Sequence, residues 1–473
     1  MRAVSWWITW EDLELGNLGL RDKIHRKADE ICNANADTAV IFGAHFRWDF
    51  LPYWNTLHTF MRWVSDALKE RGIGFFDHHS CTLTHRYDTL DDLPKLMYTY
   101  LHHLPYVPSR EVAADWRFNG DYLNSWRMHD AFTGQPARVP QYSAEQFCFN
   151  NPGFREGYRL YMKKLLEDTG ITGLMCDDVI FFGGYYQCSC PFCQAKLGFK
   201  LPPASDRSFW GNWDNPQWRQ YLAMRRSSIG DFLKFVKASL PEGFPLMSCC
   251  SSCAYGGVNY SAHRAQELLQ GDNILNLEVV GNVPGDVRSH LATNSFHSGV
   301  AKEYHVPVVS EGYGFYPDTA GHLWALNNLS GFSTWFSTLK GHLGLPAEEI
   351  RQLPNDAEPA TAAFHFEKMH PELFKDAPEY ACAVYFSENT QFNCYFGACE
   401  EGYTGDYRRL IGELYSSGLS AETIFHFPSS ASEIKCVILS SVQTSSEDLA
   451  TNSRATDDAV SYDSGLFLSS RWR

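Results

Sequence analysis

The chain has 473 residues, of which 44% are hydrophobic and 20% charged, so it is globular and long enough for one large domain and a smaller one. Its formal net charge of −15 argues against nucleic acid or an anionic membrane surface as a partner, and no apolar run approaches the roughly 20 residues of a membrane span. The first residues read as a strand rather than as a charged and then apolar leader, so we expect a cytoplasmic protein, or a secreted one if a leader has been removed.

Strand-like and helix-like patterns alternate along most of the chain. Predicted strands cover residues 1–10, 38–42, 73–76, 173–182, 244–248, 274–280, 306–310 and 332–339, with helical patterns between most of them. About eight such units in residues 1–345 predict a (β/α)8 TIM barrel of the α/β class, with a doubly wound open sheet as the alternative. No Gly-rich phosphate-binding fingerprint follows the first strand, which counts against a dinucleotide enzyme.

The barrel pattern is interrupted once and is followed by a second, smaller unit. A segment at about 80–149 has little periodicity and is rich in His, Tyr, Trp and Pro, which is typical of a functional insertion. Residues 346–378 are charged and contain Pro, so we predict a connector there. Residues 379–473 predict a small α/β domain with an irregular, Ser- and Asp-rich tail.

The stretch GLMCDDVIFF, residues 173–182, is the clearest buried strand, because a parallel strand reads as a continuous apolar run. It ends on two adjacent acids, Asp177 and Asp178. Neighbouring side chains in a strand point to opposite faces, so we expect at most one of the two to face the centre of the barrel.

Polar residues follow most of the predicted strands or lie in the insertion. They are Asp12, His45, Arg47, Asp77, His78, His79, Arg127, His129, Asp130, Asp177, Asp178, Glu278 and Glu311. Carboxyl ends of barrel strands form the active-site mouth. Several acids without a cofactor motif predict acid/base hydrolysis, with glycoside hydrolysis as the leading case, and we assign no cofactor.

Two of these residues suit the roles of acid and base. His129 lies beside Asp130, and a carboxylate neighbour favours the protonated imidazole, which is a competent general acid. Asp12, at the exit of the first strand, can polarise a water molecule from across the site. A hydrogen-bonded loop histidine without a catalytic role is the alternative for His129.

Cysteine and histidine patterns leave metal binding open. Cys188, Cys190 and Cys193 form a CxCxxC run, and Cys249, Cys250 and Cys253 form a second group. Reduced thiols are the default in a large chain, and a structural zinc site lacks the usual pair of CxxC motifs. His78 and His79 point to opposite faces, so we expect rim residues that form hydrogen bonds and we name no metal ligand.

Three segments carry a resemblance to known enzymes. Residues Trp126 to Asp130 (WRMHD), Cys148 to Pro152 (CFNNP) and Gly173 to Asp178, with the cysteine run behind them, resemble a pattern shared by several barrel glycoside hydrolase families. The segment from Ala381 to Glu388 (ACAVYFSE) and onward is similar to the amidotransferase-like domain of family 42 β-galactosidases. Within this group the chain most resembles the inverting sialidases of glycoside hydrolase family 156.

The sialidase resemblance implies an exo-acting, single-displacement hydrolase of terminal α-linked sialic acid that needs no metal. His129 would be the acid and Asp12 the base, while Arg127, or else Arg47, would bind the substrate carboxylate. The remaining substrate contacts would come from His45, Asp130, Asp178 and Glu311. The partners would be sialylated glycans, and the C-terminal domain would be the part that mediates any self-association.

Two alternatives remain open from the residues. The first is a retaining glycosidase of β-galactosidase type that uses Glu311 with Asp177 or Asp178, because many retaining barrel glycosidases carry their nucleophile on the seventh strand and the acid on the fourth. The usual Asn-Glu pair on the fourth strand is replaced here by the two aspartates. The second is a non-catalytic barrel that binds carbohydrate.

Overall fold

A computed structural model of the chain describes residues 1–89, 107–251, 257–279, 287–314, 317–338, 357–374, 378–393, 399–426 and 436–439. Eight strands form the main sheet: β1 (Arg2–Trp7), β2 (Thr38–Phe42), β3 (Gly74–Ser80), β4 (Gly173–Asp177), β5 (Leu246–Ser248), β6 (Leu275–Val279), β7 (Val308–Gly314) and β8 (Ser333–Thr338).

The eight strands close into a parallel barrel. Their order in the sheet is β5-β4-β3-β2-β1-β8-β7-β6, and every pairing is parallel. The two ends meet where the Glu278 N–H donates to the Cys250 carbonyl oxygen at 3.0 Å and Ser251 bridges Glu278. This cyclic order confirms the predicted TIM barrel over the doubly wound sheet.

Helices surround the barrel or connect its strands. They are α1 (Leu20–Asn33), α2 (Trp54–Lys69), α3 (Pro152–Thr169), α4 (Pro191–Leu197), α5 (Pro216–Ala238), α6 (Val258–Ser261), α7 (Ala265–Leu268), α8 (Val287–Tyr304), α9 (Pro317–Leu329) and α10 (Ala357–Met369). Asn151 and Asn215 cap α3 and α5 with their side chains, each followed by Pro in the first turn. None of the described helices combines the length and apolarity that crossing a membrane requires.

Helix α10 lies inside the range 346–378 that the sequence predicts as a connector. Its buried Ala357, Ala360 and Phe364 face the barrel, and it packs on α9, α1 and β1. The charges and Pro359 conceal the pattern, but proline is tolerated in a first helical turn. The range therefore contains a helix that packs on the barrel.

The predicted insertion contains little regular structure in its described part. The short strands Leu83–His85, Ala144–Gln146 and Arg138–Val139 form a small antiparallel sheet, and Arg117–Phe118 pairs with Asp121–Tyr122. Residues 90–106 of the insertion lie outside the described residues.

A small three-stranded parallel sheet forms the core of the C-terminal region. It consists of β9 (Cys382–Tyr385), β10 (Ala421–Ile424) and β11 (Val437–Leu439), in the order β10-β9-β11, with helices α11 (Glu388–Asn393) and α12 (Cys399–Ser416). Helix α12 packs on barrel helix α8. This is the predicted smaller α/β unit, and its predicted tail beyond residue 439 lies outside the described residues.

The barrel separates two apolar cores because side chains alternate along each strand. The inner core contains Trp7, Phe42, Met175, Cys249 and Trp335 among its members. A larger outer core lies between the strands and the helices. The residue parity of each strand therefore decides which polar side chains point into the barrel.

A buried ionic network stands on the outer side of β3. Arg47, which is 1% exposed, donates to Asp77 Oδ1 at 2.8 Å and to the Tyr161 hydroxyl of α3 at 2.7 Å. His79 donates to the second Asp77 oxygen at 2.6 Å and contacts the Tyr158 hydroxyl at 2.9 Å. The network binds β2, β3 and α3 together beneath the rim.

We expect Arg47→Met to lower the free energy of unfolding by about 3–5 kcal/mol, because it leaves the Asp77 carboxylate buried without its strongest partner. Urea denaturation of the purified variant measures this loss. Arg409→Met, which removes the exposed ion pairs of Arg409 on α12, is the matched control and should change stability by about 1 kcal/mol or less. Equal stability of the two variants would contradict the proposed importance of the network.

Candidate functional site

Strand β3 is longer than its sequence pattern predicts and runs to Ser80. Asp77, His78 and His79 therefore lie within the strand rather than after it. Asp77 and His79 face the helices, whereas His78 faces the barrel interior, where its ring lies 4.5 Å from Phe42 and 5.7 Å from Trp335. Of the three, His78 is the one that reaches the mouth.

Both aspartates at the end of β4 point to the mouth, so the prediction that at most one does is wrong. His45 Nε2 lies 3.3 Å from Asp177 Oδ2 and 3.4 Å from Asp178 Oδ2. The strand ends at Asp177, and Asp178 adopts a left-handed conformation with φ of 59°. The alternation rule applies only to extended backbone, and this turn brings the second carboxylate back beside the first.

Two imidazoles hold Asp177. His78 Nε2 lies 3.0 Å from Asp177 Oδ2, the same oxygen that His45 approaches. Burial lowers the pKa of His45 to about 4 and lowers the pKa of His78 as well, so both rings are neutral near pH 7. Burial opposes ionisation of Asp177, but the hydrogen bond from His78 and the neighbouring imidazoles lower the pKa of this carboxyl below its ordinary value.

Asp178 has the opposite electrostatic environment. Burial, and then the adjacent charge of Asp177, raise the pKa of Asp178 well above its ordinary value. Its side chain is 9% exposed. Two neighbouring carboxyl groups thus differ in ionisation because their environments differ, as is common where acid/base chemistry takes place.

Two further acids face the mouth from β6 and β7. Glu311 has the same parity as the inner-core residue Val309 and pairs in register with Glu278. Glu278 Oε2 accepts from Cys249 Sγ at 3.3 Å and from Ser251 Oγ at 3.4 Å. Burial, and then the charges of Asp177, Glu278 and Glu311, raise the pKa of the Cys249 thiol, so the three acids surround this cysteine.

Aromatic side chains form the walls of the mouth. Trp7 and Phe42 lie 4.3 Å apart at the ends of β1 and β2, and Trp335 of β8 donates to Ser5 at 3.0 Å. Tyr142, from the insertion, packs its ring against Phe46 and Phe182, and burial and then the charges of Asp178 and Asp177 raise the pKa of its hydroxyl. Aromatic faces beside carboxyl groups suit a sugar ring with its apolar face and hydroxyl edge.

Asp12 has local partners away from this cluster. It lies in a single helical turn, Trp10–Leu13, after β1 and is 4% exposed. Its Oδ2 accepts from the Thr9 N–H at 3.0 Å and its Oδ1 accepts from the Lys23 ammonium. These contacts close the first turn of the loop and hold α1 to it.

His129, Arg127 and Asp130 belong to a substructure of the insertion. The His129 N–H donates to Cys188 Sγ at 3.4 Å, and Arg127 Nη1 donates to Glu145 Oε2 at 2.9 Å. Asp130 Oδ1 accepts from the N–H groups of the two following turn residues, 132 and 133. Among the predicted site residues, the described structure groups His45, Asp178 and Glu311 at the mouth, while Arg47 belongs to the ionic network beneath it.

Four cysteines form a cluster that can hold a metal ion. Cys148 Sγ lies 3.5 Å from Cys190 Sγ and 3.4 Å from Cys193 Sγ, and with Cys188 all four buried sulfurs lie within 4.8 Å of one another. N–H groups of His129 and Cys190 donate to Cys188 Sγ. Four converging thiols with N–H donors fit a closed tetrahedral zinc site, which would tie the insertion to the loop after β4.

Sequence reasoning missed several of these residues for identifiable reasons. Cys148 stands 42 residues before Cys190, so spacing alone does not connect it with the CxCxxC run. Cys249 directly follows β5, and the strand-exit rule that selected the acids also applies to it. Nothing in the local sequence marks Tyr142. In the second cysteine group, Cys249 faces the interior and Cys250 the outer core, and Cys253 lies outside the described residues.

Comparisons with known proteins relate this chain to others through its fold. No protein-family profile matches it, and no curated protein matches its sequence. The structure is similar to the β-galactosidase of the psychrophile Marinomonas ef1, with a TM-score of 0.64 and 12% identity over 95% of this chain and 74% of that one.

Two other solved structures have the same architecture. The β-galactosidase of the haloarchaeon Halorubrum lacusprofundi has a TM-score of 0.61 and 12% identity, covering 96% of this chain and 71% of that one. The exo-β-1,4-mannosidase Op5Man5 of Opitutaceae bacterium strain TAV5 has a TM-score of 0.52 and 13% identity, covering 97% and 75%. At such identities the likeness establishes the barrel with its smaller extra domain.

We expect Cys148→Ser to release zinc from the cysteine cluster and to lower the melting temperature, since a structural site contributes its binding free energy to folding. Metal analysis of the dialysed protein and thermal melting measure the two effects. Cys32→Ser, at an exposed thiol outside the cluster, is the control and should change neither. A cluster that holds no zinc in the unaltered protein would contradict this expectation.

Proposed function

We propose that this protein is a glycoside hydrolase whose reacting groups are Asp178 and Glu311 at the barrel mouth. The observation that carries the proposal is that Asp177, at the end of β4, and Glu311, on β7, both point to the mouth beside its aromatic walls. Asp177, adjacent to Asp178, and Glu311 both act on the Cys249 thiol. Most glycoside hydrolases cleave their substrate with two carboxyl groups that flank the bond.

The two groups take different roles in this proposal. Asp178, at the end of β4, protonates the leaving oxygen, and Glu311, on β7, attacks the anomeric carbon as the nucleophile. The reaction then retains the anomeric configuration, and Asp178 returns as the base that activates water. His45 and His78 hold Asp177 in place and thereby position the turn from which Asp178 projects.

The proposed substrate is a neutral β-glycoside, with β-galactosides as the first choice. Two of the structurally similar enzymes are β-galactosidases and a third is an exo-β-mannosidase. The ionisable groups described around Cys249 are carboxyls, and they would repel a carboxylated sugar. A neutral ring with hydroxyl groups meets no such repulsion and can stack on Trp7, Phe42 or Trp335.

The sialidase assignment of Asp12 and His129 stays a prediction that the same experiments test. A sialoside would need a cationic group for its carboxylate, and Arg127 and Arg47 are the predicted donors. Arg127 pairs with Glu145, and Arg47 pairs with Asp77. Either arginine would bind the sialoside carboxylate in competition with these carboxylate partners, and catalysis by His129 and Asp12 would invert the anomeric configuration.

We expect Asp178→Asn and Glu311→Gln each to reduce kcat on an aryl β-galactoside by at least about 100-fold, because each removes a reacting carboxyl group. Asp12→Asn and His129→Gln should retain turnover within several-fold. If instead Asp12→Asn and His129→Gln abolish turnover of an aryl sialoside while Asp178→Asn and Glu311→Gln retain it, the sialidase assignment would replace this proposal. Sugar binding without turnover of neutral or sialylated aryl glycosides would indicate the non-catalytic barrel.

We expect early NMR spectra of the reaction to show the product anomer with the configuration of the substrate. Retention follows from a Glu311 nucleophile, whereas a His129 acid with an Asp12 base would give the opposite anomer first. Spectra must be taken before mutarotation equilibrates the two forms. Inversion would exclude Glu311 as the nucleophile even if its substitution abolishes activity.

A further inference from the structure

Three side chains at the mouth direct metal-binding atoms toward one point. His45, His78 and Asp177 each offer one ligand atom, and these three atoms all lie within 4.8 Å of one another. The Asp177 oxygen is 3.0 Å from the His78 nitrogen and 3.3 Å from the His45 nitrogen. His45 lies in the loop after β2, His78 on β3 and Asp177 at the end of β4, so the parallel pairing of three adjacent strands brings them together.

The two imidazole-to-carboxylate separations match the spacing of ligands in a tetrahedral site. Zinc binds imidazole nitrogen and carboxylate oxygen at roughly 2.0–2.2 Å, which puts neighbouring ligand atoms of a tetrahedral site roughly 3.3–3.5 Å apart. The two nitrogen-to-oxygen distances lie within a few tenths of an ångström of that spacing. Asp177 and each imidazole are therefore already spaced as two ligands of one cation.

The surroundings hold the three ligand groups in fixed orientations. Asp177 Oδ1 accepts from the Asp178 N–H at 2.7 Å, which leaves Oδ2 to face the two imidazoles. The His78 ring packs against Phe42 and Trp335, and the His45 ring lies 5.4 Å from Phe46. Hydrogen-bonded carboxylate ligands within an apolar shell are characteristic of protein metal sites.

A fourth polar atom, Asp178 Oδ2, lies beside the same groups. Asp178 Oδ2 is buried, accepts no hydrogen bond among the described residues and lies 3.4 Å from His45 Nε2. A buried carboxyl oxygen without a hydrogen-bond donor is costly unless something else satisfies it. A cation or a metal-bound water in the space between these residues would do so.

We propose that His45, His78 and Asp177 form a site for a divalent transition-metal ion, with Zn²⁺ as the favoured ion. Two imidazoles and one carboxylate suit zinc better than calcium or magnesium, which prefer all-oxygen sites. Three protein ligands leave one coordination position for water or a substrate hydroxyl, beside Asp178. The inference goes beyond the proposed hydrolysis and does not depend on it, since neither Asp178 nor Glu311 serves as a ligand.

Cobalt titration of the full-length, reduced and metal-free protein tests the site. We expect two equivalents of Co²⁺ to bind, one with the strong sulfur-to-metal absorption of the cysteine cluster and one with weaker visible bands of nitrogen and oxygen ligands. His78→Gln and Asp177→Asn should each weaken the second equivalent by more than about 100-fold, because each removes one of three ligands. Competition with Zn²⁺ should displace the cobalt from both sites in the unaltered protein.

The thiolate absorption is an internal control, because a variant that keeps it has kept the fold that assembles the cysteine cluster. Glu278→Gln, which alters a mouth carboxyl outside the ligand set, is the matched control and should still bind two equivalents. Absence of the nitrogen- and oxygen-ligand bands from the unaltered protein would overturn the proposal, and so would unchanged affinity at that site in both ligand variants. His45, His78 and Asp177 would then form a hydrogen-bond network without a metal ion.

The same preparations separate this inference from the proposed function. Full turnover of an aryl β-galactoside by protein that carries metal only in its cysteine cluster, and that binds no second equivalent, would overturn the metal site and leave the hydrolase proposal standing. A second bound equivalent in a protein that hydrolyses no glycoside would uphold the metal site and overturn the hydrolase proposal.

Discussion

The alternation of side chains along closed parallel strands is the constraint on which this structure depends. It turns Asp77 and His79 outward and His78 inward on the same strand, and it points Glu311 into the barrel beneath the aromatic walls. Barrel closure then brings residues from distant parts of the chain to one end. The single departure, the left-handed Asp178, adds a second carboxyl where strict alternation would permit one.

Polar groups on the two sides of β3 have different physical tasks. On the outer side, the buried Arg47 and Asp77 neutralise each other, Arg47 also donates to the Tyr161 hydroxyl, and the Tyr158 hydroxyl bonds to His79. On the inner side, His78 and His45 hold Asp177 where it meets the mouth. The outer network fixes the strand and the loop after β2, and this fixes the geometry of the inner groups.

The insertion and the barrel are joined through sulfur and aromatic contacts. The cysteine cluster connects Cys148, ahead of α3, with the loop that follows β4. Tyr142 reaches over the acids from the same insertion, and its ring contacts Phe46 and Phe182. The insertion therefore shapes the opening through which a substrate would enter, in accordance with the functional role that long loops usually have.

Sequence alone determined the barrel and most of its strands, because eight alternating apolar units are a local signal that repeats. It also selected His45, Asp178 and Glu311 as mouth residues through the strand-exit rule. It did not recognise α10, since charges and Pro359 concealed a short apolar face. The spacing of apolar residues predicts a strand or helix wherever residues that are close in sequence are also close in space.

Only the tertiary structure decided which polar groups meet. The backbone turn at Asp178, the pairing of Arg47 with Asp77 and the fourth cysteine at Cys148 all depend on contacts between residues far apart in the chain or on one left-handed dihedral angle. Neither the long-range contacts nor the dihedral angle produces a periodic pattern in the sequence. The fold could thus be read from local alternation, whereas the chemistry of the mouth required the closed barrel that brings the strand ends together.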